Sequence, residues 1–280
     1  MSAGAKFLPT IERLHELLAS WELQLRSGAV SEKTLRTIED TEQAIVECLA
    51  SLERQPSSQP ASKSALALKR IASHIAPRDL MLPRAARIPF DRPGWIFEMK
   101  YDGLRVLALR DSARVRLLSR SGVDLAAAFP EVVESLRKLP EIILDGELVV
   151  LDSQGKAEFA KVQARTLAST PSSVKRAMSV GLADLLAFDV LKLRGKDLRA
   201  IPLLARKRVL QQALDGLQRV RPMQYVHERG RRLFAAAADL HIDGIVAKRA
   251  DSLYAAGKSR DWLVVRRSAG RRSVKRGRKS

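Results

Sequence analysis

The segment "FEMKYDGLR" (Phe97–Arg105) ends an apolar strand pattern on a lysine and then turns the chain at an Asp-Gly pair. Because neighbouring side chains of a strand point to opposite faces, Glu98 and Lys100 share one face of this run. The Asp-Gly pair predicts a tight turn, after which Arg105 returns as a second cation near the lysine. A surface hairpin with a salt bridge has the same local pattern, so this segment alone fits either a structural or a functional role.

Beyond this segment, short apolar runs typical of strands are interspersed with helical patterns. The strand-type runs are WIFEMK (95–100), RVLAL (105–109), VRLLS (115–119), EIILDGELVVLD (141–152), LLAFDVL (185–191), GIVAKR (244–249) and DWLVV (261–265). The helical patterns are FPEVVESLRKL (129–139), PLLARKRVLQQAL (202–214) and RRLFAAAADL (231–240). This mixture predicts an α+β fold with a mixed or antiparallel sheet.

Two carboxylates interrupt one of the apolar strands. Asp145 and Glu147 alternate with apolar residues in "ILDGELVV" (143–150), so both lie on one face of an otherwise buried strand. Buried acids need a compensating cation, which is either Lys or Arg or a metal that prefers oxygen ligands, such as Mg²⁺. A third carboxylate, Asp243, precedes the strand that carries another cation, Lys248. Several acids and cations beside a lysine favour chemistry at a phosphate, because lysine becomes a nucleophile where neighbouring charge or desolvation depresses its pKa.

The chain is strongly basic, and the charge is unevenly distributed. Its 280 residues include 50 Lys and Arg against 31 Asp and Glu, which gives a formal net charge of +19 and a pI of about 10.7. Residues 1–56 carry a net charge of −3, so the remainder carries +22. This balance favours a polyanionic partner, nucleic acid first and an anionic membrane surface second.

Signals for export and membrane insertion are absent from the sequence. The first residues, MSAGAKFLPT, lack the apolar region of a signal peptide, and no run of about 18 apolar residues occurs. We therefore expect a cytoplasmic protein that does not enter a membrane. The single cysteine, Cys48, excludes an internal disulfide bond and a Cys-rich zinc site.

Two helical patterns precede the strand-rich part of the chain. Apolar stripes at helical spacing predict a helical hairpin over residues 1–56, which serves either as a packing accessory or as a binding module for a protein partner. We predict a linker with room for a helix at 57–75, a strand-rich domain at 76–267, and a basic, disordered tail at 268–280.

The lysine segment and four later segments resemble a known superfamily. The pattern K-x-D-G-x-R is present at Lys100–Arg105. It is followed in order by LLSRSGVDLAAAFPEV, LDGELVVLDSQGKAEFAKVQAR, LLAFDVLKLRGKDLRAIPLLARKRVL and DGIVAKRADSLYAAGKSRDWLVVRR. Together these resemble the motifs of the covalent nucleotidyltransferases, meaning ATP-dependent DNA ligases, RNA ligases and mRNA capping enzymes. The motif sequences are most similar to those of the ligase module of bacterial end-joining DNA ligases, over about residues 76 to 267.

The resemblance implies an adenylation domain with a nucleotidyltransferase (ATP-grasp-like) fold, and nick sealing in DNA repair or recombination. Lys100 would take AMP from ATP as a lysyl-AMP phosphoramidate, with Mg²⁺ or Mn²⁺, and the AMP would pass to nicked duplex DNA. The nucleotide-binding residues implied are Glu98, Arg105, Arg120, Glu147, Phe188, Lys248 and Arg266. The metal ligands implied are Glu147, Asp243 and Asp145. Of these, Glu98 resembles the adenine contact, Phe188 the ring that stacks on adenine, and Lys248 a phosphate contact.

The sequence departs from the family pattern at three places. Asp243 stands where the family has glutamate, and the family's W-L-K-x-K becomes WLVVR at 262–266. Val264 therefore replaces one phosphate-binding lysine, and Arg266 replaces the other. The chain also stops where the family's C-terminal OB-fold domain starts, so we expect weaker self-adenylation or a weaker grip on duplex DNA.

Two other functions remain open from the sequence. One is a non-catalytic nucleic-acid-binding relative of ligases, and the other is nucleotidyl transfer to RNA, because the core motifs are shared. An NAD-dependent ligase is disfavoured, since it would need a nicotinamide-recognition segment and a Cys-rich zinc module. The preference for ATP rests on the resemblance.

Overall fold

The computed structural model describes residues 75–267, which contain a five-stranded sheet and a six-stranded sheet. The predicted N-terminal hairpin, almost all of the linker and the basic tail lie outside the described residues. The proposed division into domains therefore stays a prediction.

The five-stranded sheet carries the start of the lysine segment on the strand next to one edge. Its strands, in order across the sheet, are β1 (Met81–Ala86), β11 (Gly257–Arg266), β10 (Gly244–Arg249), β2 (Trp95–Met99) and β9 (Tyr225–His227). Strand β1 runs parallel to β11, and the other neighbours are antiparallel. The register places Glu98 on β2 between Val246 on β10 and Tyr225 on β9.

The six-stranded sheet carries the two predicted carboxylates. Its order is β4 (Val115–Ser119), β3 (Leu104–Arg110), β5 (Ile142–Val150), β6 (Ala183–Leu193) and β7 (Lys196–Asp197), with β8 (Val220–Pro222) parallel to β6. Antiparallel pairing places Arg105 on β3 opposite Glu147 on β5.

Five α-helices surround the sheets in the described part of the chain. They are α1 (Pro130–Arg137), α2 (Phe159–Thr166), α3 (Pro171–Val180), α4 (Leu203–Ala213) and α5 (Gly230–Asp239). Proline in the first turn suits the starts of α1 and α3, because the first backbone N–H groups of a helix have no partner within the helix. The Thr170 hydroxyl also caps α3 by accepting a hydrogen bond from the Ser173 N–H at 3.2 Å. Over residues 75–267, no helix is long and apolar enough to cross a membrane.

One of the apolar clusters joins the two sheets. It includes Met81 and Trp262 from the five-stranded sheet and Leu107 and Phe188 from the six-stranded sheet, all of them buried. Separate clusters lie under α1 and α4 on the six-stranded sheet and under α5 on the five-stranded sheet. The shared cluster fixes the sheets relative to each other, because close-packed interiors tolerate little movement.

The predicted α+β class with a largely antiparallel sheet is confirmed. The sequence reading missed β1, which carries Pro83 and the exposed Arg84, because proline within a short run argues against a strand. It also missed α2 and α3, which carry few buried apolar side chains and so give a weak periodic signal. Strand β1 lies at the edge of its sheet, where proline is tolerated.

Candidate active site

Lys100 lies just after the end of β2, next to the residue that precedes β10. Its backbone N–H donates to the Gly244 carbonyl at 2.9 Å, which extends the pairing of the two strands by one step. This brings the Lys100 ammonium within 3.1 Å of Asp243 Oδ2. The Lys100 side chain is 20% exposed and that of Asp243 is 54% exposed, so the pair faces solvent at the rim of a cleft.

The turn after the lysine depends on a glycine. A Cβ atom at Gly103 would lie 2.3 Å from the Leu148 carbonyl oxygen, well inside contact distance. Glycine therefore lets the turn pack directly against β5, and this close approach carries the chain from β2 in one sheet to β3 in the other. The Asp-Gly pair predicted a tight turn, and that turn joins strands of different sheets, so the alternative of a simple surface hairpin is wrong.

Both sheets contribute side chains to a cleft of about 770 Å³. Most of the predicted site residues line it, namely Glu98, Lys100, Arg105, Arg120, Glu147, Phe188, Lys248 and Arg266. The cleft has the size and mixed lining expected for a small-molecule site. Asp243 lies at its rim through the contact with Lys100, and Asp145 is not among the lining residues.

Asp145 is held by structural contacts. It is fully buried and accepts two hydrogen bonds from Arg105, at 3.0 Å from Nε and 2.7 Å from Nη2. The Tyr254 hydroxyl donates a third hydrogen bond to it at 2.6 Å. Arg105 also donates to the Met81 carbonyl at 2.7 Å, so this pair links the two sheets. These contacts occupy both Asp145 oxygens and separate this acid from the other predicted metal ligands.

Glu147 has a different environment from Asp145, although both lie on β5. Burial raises the pKa of the Glu147 carboxyl to about 7, and the positive charges of Arg105 and Lys100 limit the increase. A desolvated carboxylate that faces a cleft gains stability from any cation that enters it. Glu147 is therefore the predicted metal ligand with the strongest physical support.

The opposite end of the cleft is a buried charge cluster built around Glu98, which is 2% exposed. Lys248 approaches Glu98 Oε2 at 2.7 Å, and its ammonium lies 4.3 Å from the Phe188 ring centroid and 4.1 Å from that of Trp262. Such positions over aromatic rings stabilise a cation. Burial nevertheless lowers the pKa of Lys248 to about 8, with Glu98 opposing the shift.

Lys248 and Lys100 belong to different levels of the five-stranded sheet. On β10, Lys248 pairs with Ile96 near the start of β2, whereas Lys100 follows the end of that strand. At about 3.3 Å per residue, this backbone offset is roughly 13 Å. The Lys248 ammonium closes part of that gap, because it reaches Glu98, two residues before Lys100. Lys248 therefore lies beside the residue expected at the adenine base, and its contact with a phosphate stays a prediction.

A second buried lysine was missed by the sequence reading. Lys207 in α4 forms an ion pair with Glu98 Oε1, and both side chains are almost completely buried. The available signal was the run of three cations, Arg206, Lys207 and Arg208, beside apolar residues in a helical pattern. Such cations are usually exposed, and only the packing of α4 against both sheets shows that Arg206 and Lys207 are buried.

The altered motif on β11 faces the cleft. Because side chains alternate along a strand, Trp262, Val264 and Arg266 point to the same side, and all three line the cleft. Val264 is 7% exposed, so an apolar side chain occupies the position where the family pattern has a lysine. The cleft therefore lacks one cation of the pattern.

The carboxylates of the cleft fit a divalent cation that is shared with a phosphate ligand. Within the described ranges, no group of three or more His, Cys, Asp or Glu side chains is arranged to hold a metal ion. Mg²⁺ is commonly held by one or two carboxylates together with substrate phosphates and water. Glu147 and Asp243 supply that number of ligands.

Comparison with known proteins finds relatives over the part of the chain that forms the cleft. The profile of the family described as "ATP dependent DNA ligase domain" matches residues 84–265. Among relatives, the multifunctional non-homologous end joining protein LigD of Pseudomonas aeruginosa is 31% identical over 180 residues, which cover 62% of this chain and 20% of that protein. The SPbeta prophage-derived DNA ligase-like protein LigB of Bacillus subtilis is 31% identical over 191 residues, 66% of each chain.

A solved structure described as mycobacterial DNA ligase D complexed with ATP and MES is also similar. It superimposes with a TM-score of 0.55 at 29% identity, over 67% of this chain and 60% of that one. The chain matches only a fifth to a third of the length of the LigD proteins of P. aeruginosa and B. subtilis. The matched region contains nearly all of both sheets and all the cleft-lining residues except Pro83 and Arg266. The fold, the ordered motifs and the family match together show that the chain belongs to the ATP-dependent DNA ligase domain family.

Proposed function

We propose that this protein is an ATP-dependent DNA ligase that forms a lysyl-AMP intermediate at Lys100 and seals nicks in duplex DNA. The observation that carries the proposal is the cleft, which gathers most of the predicted nucleotide-site residues from both sheets. Membership of the ligase family and the +22 charge after residue 56 support the substrate classes, ATP and DNA.

The first step needs the Lys100 amine in its neutral form. Its ammonium donates a hydrogen bond to Asp243 Oδ2, and Asp243 is open to solvent, so the proton can pass through this carboxylate to water. The amine nitrogen then attacks the α-phosphorus of ATP. The N–P bond forms while the bond to the bridging oxygen breaks, and pyrophosphate leaves with the electron pair.

A divalent cation would be held by Glu147 and Asp243, with Mg²⁺ as the natural choice for an oxygen ligand set. Its contribution when bound would be to neutralise charge on the phosphates. Arg105 is committed to Asp145, so its part is to hold β3 and β5 in register at the cleft. Arg120 and Arg266 are exposed at the cleft and supply further positive charge for phosphates.

Recognition of the base falls to the opposite end of the cleft. Glu98 supplies a hydrogen-bond acceptor, Lys248 a donor, and Phe188 an aromatic ring. In the later steps, a DNA 5′-phosphate oxygen attacks the lysyl-AMP phosphorus and releases the Lys100 amine. The 3′-hydroxyl then attacks the 5′-phosphorus, which forms the phosphodiester bond and releases AMP.

The test is covalent labelling of the full chain with α-labelled ATP and Mg²⁺, followed by mass location of the AMP adduct. We expect label on Lys100 and none in Lys100→Ala. Lys192→Ala is the matched control, because Lys192 is 14% exposed and pairs with Glu141 at 2.8 Å, in an ion pair similar to that of Lys100. Label that persists in Lys100→Ala, or a wild type that takes up none, would contradict the proposal.

One observation favours a second candidate function. Val264 places an apolar side chain in the cleft where the family has a phosphate-binding lysine, which suits a relative that binds nucleic acid without turnover. That candidate predicts salt-sensitive DNA binding without lysyl-AMP and without closure of a nick. Parallel assays on nicked DNA and nicked RNA separate the DNA ligase from an RNA-directed enzyme, and closure of nicked DNA eliminates the non-catalytic candidate.

A further inference from the structure

Helix α4 directs two adjacent cations to different sheets. Consecutive helical residues point about 100° apart, so Arg206 and Lys207 reach different partners. Arg206 forms a fully buried ion pair with Asp189 on the six-stranded sheet, at 2.7 Å from Nε to Oδ1 and 2.8 Å from Nη2 to Oδ2. Lys207 contacts Glu98 on the five-stranded sheet. The helix therefore connects the two sheets through charged contacts.

The cluster around Glu98 carries more positive than negative charge. One carboxylate is shared by two ammonium groups, with Lys207 at Oε1 and Lys248 at Oε2. Within residues 75–267, neither ammonium forms a hydrogen bond of good geometry, and neither does Glu98 Oε1. Buried donors in this condition are costly, which indicates that another requirement maintains the arrangement.

Only part of this cluster faces the nucleotide cleft. Glu98 and Lys248 line the cleft, whereas Lys207 is not among the lining residues and approaches Glu98 from α4. Lys207 also lies 5.5 Å from the Tyr225 ring centroid, so it is enclosed by protein. It can therefore influence a ligand only through Glu98 and Lys248.

We propose that Lys207 is a positioning residue that keeps the base end of the cleft open for recognition. By holding Oε1 of Glu98, Lys207 leaves Lys248 in contact with Oε2 alone. A carboxylate oxygen can accept a second hydrogen bond and an ammonium carries three N–H groups, so Oε2 and Lys248 each keep capacity to act as an acceptor and a donor toward a nucleotide. Adenine presents the complementary set, an amino donor beside a ring-nitrogen acceptor. This inference rests on the proposed function, because it concerns the same nucleotide site.

The alternative role for Lys207 is structural, as one half of a buried ion pair. The charge count distinguishes the two roles. Replacing Lys207 by an uncharged residue leaves one ammonium for one carboxylate, which is a balanced pair. The cluster therefore becomes less strained electrostatically, and the main expected loss is in nucleotide binding rather than in folding.

The pH dependence of nucleotide binding provides a readout that a structural role would not move. The charged groups that act on Lys248 are Glu98 on β2, Asp189 on β6 and Lys207 on α4. Burial lowers the pKa of Lys248 to about 8, and the positive charge of Lys207 adds to that decrease, while both carboxylates oppose it. Removing Lys207 removes a positive neighbour, so the pKa of Lys248 rises. The loss of binding at high pH then moves to a higher pH.

The experiment measures binding of α,β-methylene ATP, which cannot release pyrophosphate, by calorimetry on the full chain from neutral to alkaline pH. Lysyl-AMP formation from ATP is measured in parallel. We expect Lys207→Met to weaken binding at neutral pH about tenfold, as for the loss of one charge-assisted hydrogen bond. In this variant, the alkaline pH at which nucleotide binding is lost should rise, and the preference for adenine over hypoxanthine nucleotides should fall. Lys207→Arg should restore both properties, and Lys192→Met is the matched control.

Several results would overturn the inference. One is a folded Lys207→Met variant with wild-type affinity that loses nucleotide binding at an unchanged alkaline pH. Another is a loss of affinity that Lys207→Arg does not restore. If Lys207→Met does not fold, Lys207→Gln takes its place, and failure of both to fold assigns Lys207 a structural role. A wild type that binds the analogue but forms no lysyl-AMP refutes the proposed function alone, whereas one that binds no nucleotide refutes both.

Discussion

Substitution of Asp145 by asparagine tests whether this acid is structural or binds metal. The carboxylate is fully buried and accepts hydrogen bonds from Arg105 Nε, Arg105 Nη2 and the Tyr254 hydroxyl, at 3.0, 2.7 and 2.6 Å. An asparagine of the same shape removes the negative charge and places an amide NH₂ group against one of these donors. The Arg105 guanidinium, with a side chain that is 17% exposed, then loses its partner charge.

Removing one partner of a buried ion pair costs about 3–5 kcal/mol, because the remaining charge is left uncompensated. We therefore expect Asp145→Asn to lower the free energy of unfolding by about that amount. In urea denaturation followed by far-UV circular dichroism, the midpoint should fall by roughly 1–2 M with an unchanged slope. The loss should appear without nucleotide or metal, since the contacts lie within the protein.

Glu147→Gln is the matched control, because Glu147 lies on the same strand and the same face as Asp145. Burial raises the pKa of Glu147, so its charged form is disfavoured in the fold, and a neutral glutamine should leave stability unchanged or increase it. The same variant should lose lysyl-AMP formation, because Glu147 is the cleft carboxylate that we propose as a metal ligand. An Asp145→Asn protein as stable as the wild type but inactive, or a Glu147→Gln protein that is unstable but active, would refute this division of roles.

Two further predictions concern the cations of the cleft. Folding lowers the pKa of Lys248 from 10.5 to about 8, so between these pH values the unfolded state binds more protons than the folded state. The free energy of unfolding should therefore rise with pH across that window. Urea titrations at several pH values should show this rise in the wild type but not in Lys248→Met. Val264→Lys should restore the missing cleft cation and raise the rate of lysyl-AMP formation about tenfold, as measured by quench-flow labelling. An unchanged or lower rate would show that this position does not contact the phosphates.

Much of the fold and the site could be predicted from local patterns in the sequence. Alternation along "WIFEMK" places a strand at 95–100, and the structure has one at Trp95–Met99. Alternation also puts Asp145 and Glu147 on one face. The structure agrees, because Arg105 pairs opposite Glu147 and its side chain reaches diagonally to Asp145. These features depend on the two-residue period of a strand, which can be recognised in a short segment of sequence without knowledge of the rest of the chain.

The sequence could not rank the two acids. Asp145 and Glu147 have equivalent positions in the strand pattern, and either could bind a metal on that basis. Their difference arises from Arg105 and Tyr254, which reach Asp145 from other strands and loops. The desolvation that separates their roles is a property of the packed neighbours, and those neighbours lie 40 and 109 positions away in the chain.

Local periodicity and ordered motifs are therefore enough to predict the fold class, the family and the lysine that we propose as the nucleophile. They do not predict that Lys248 lies beside Glu98, that Lys207 is buried behind it, or that Asp145 is held in an ion pair. Those contacts depend on charge pairing and desolvation, which act over a few ångströms between residues that the packing of the two sheets and α4 brings together.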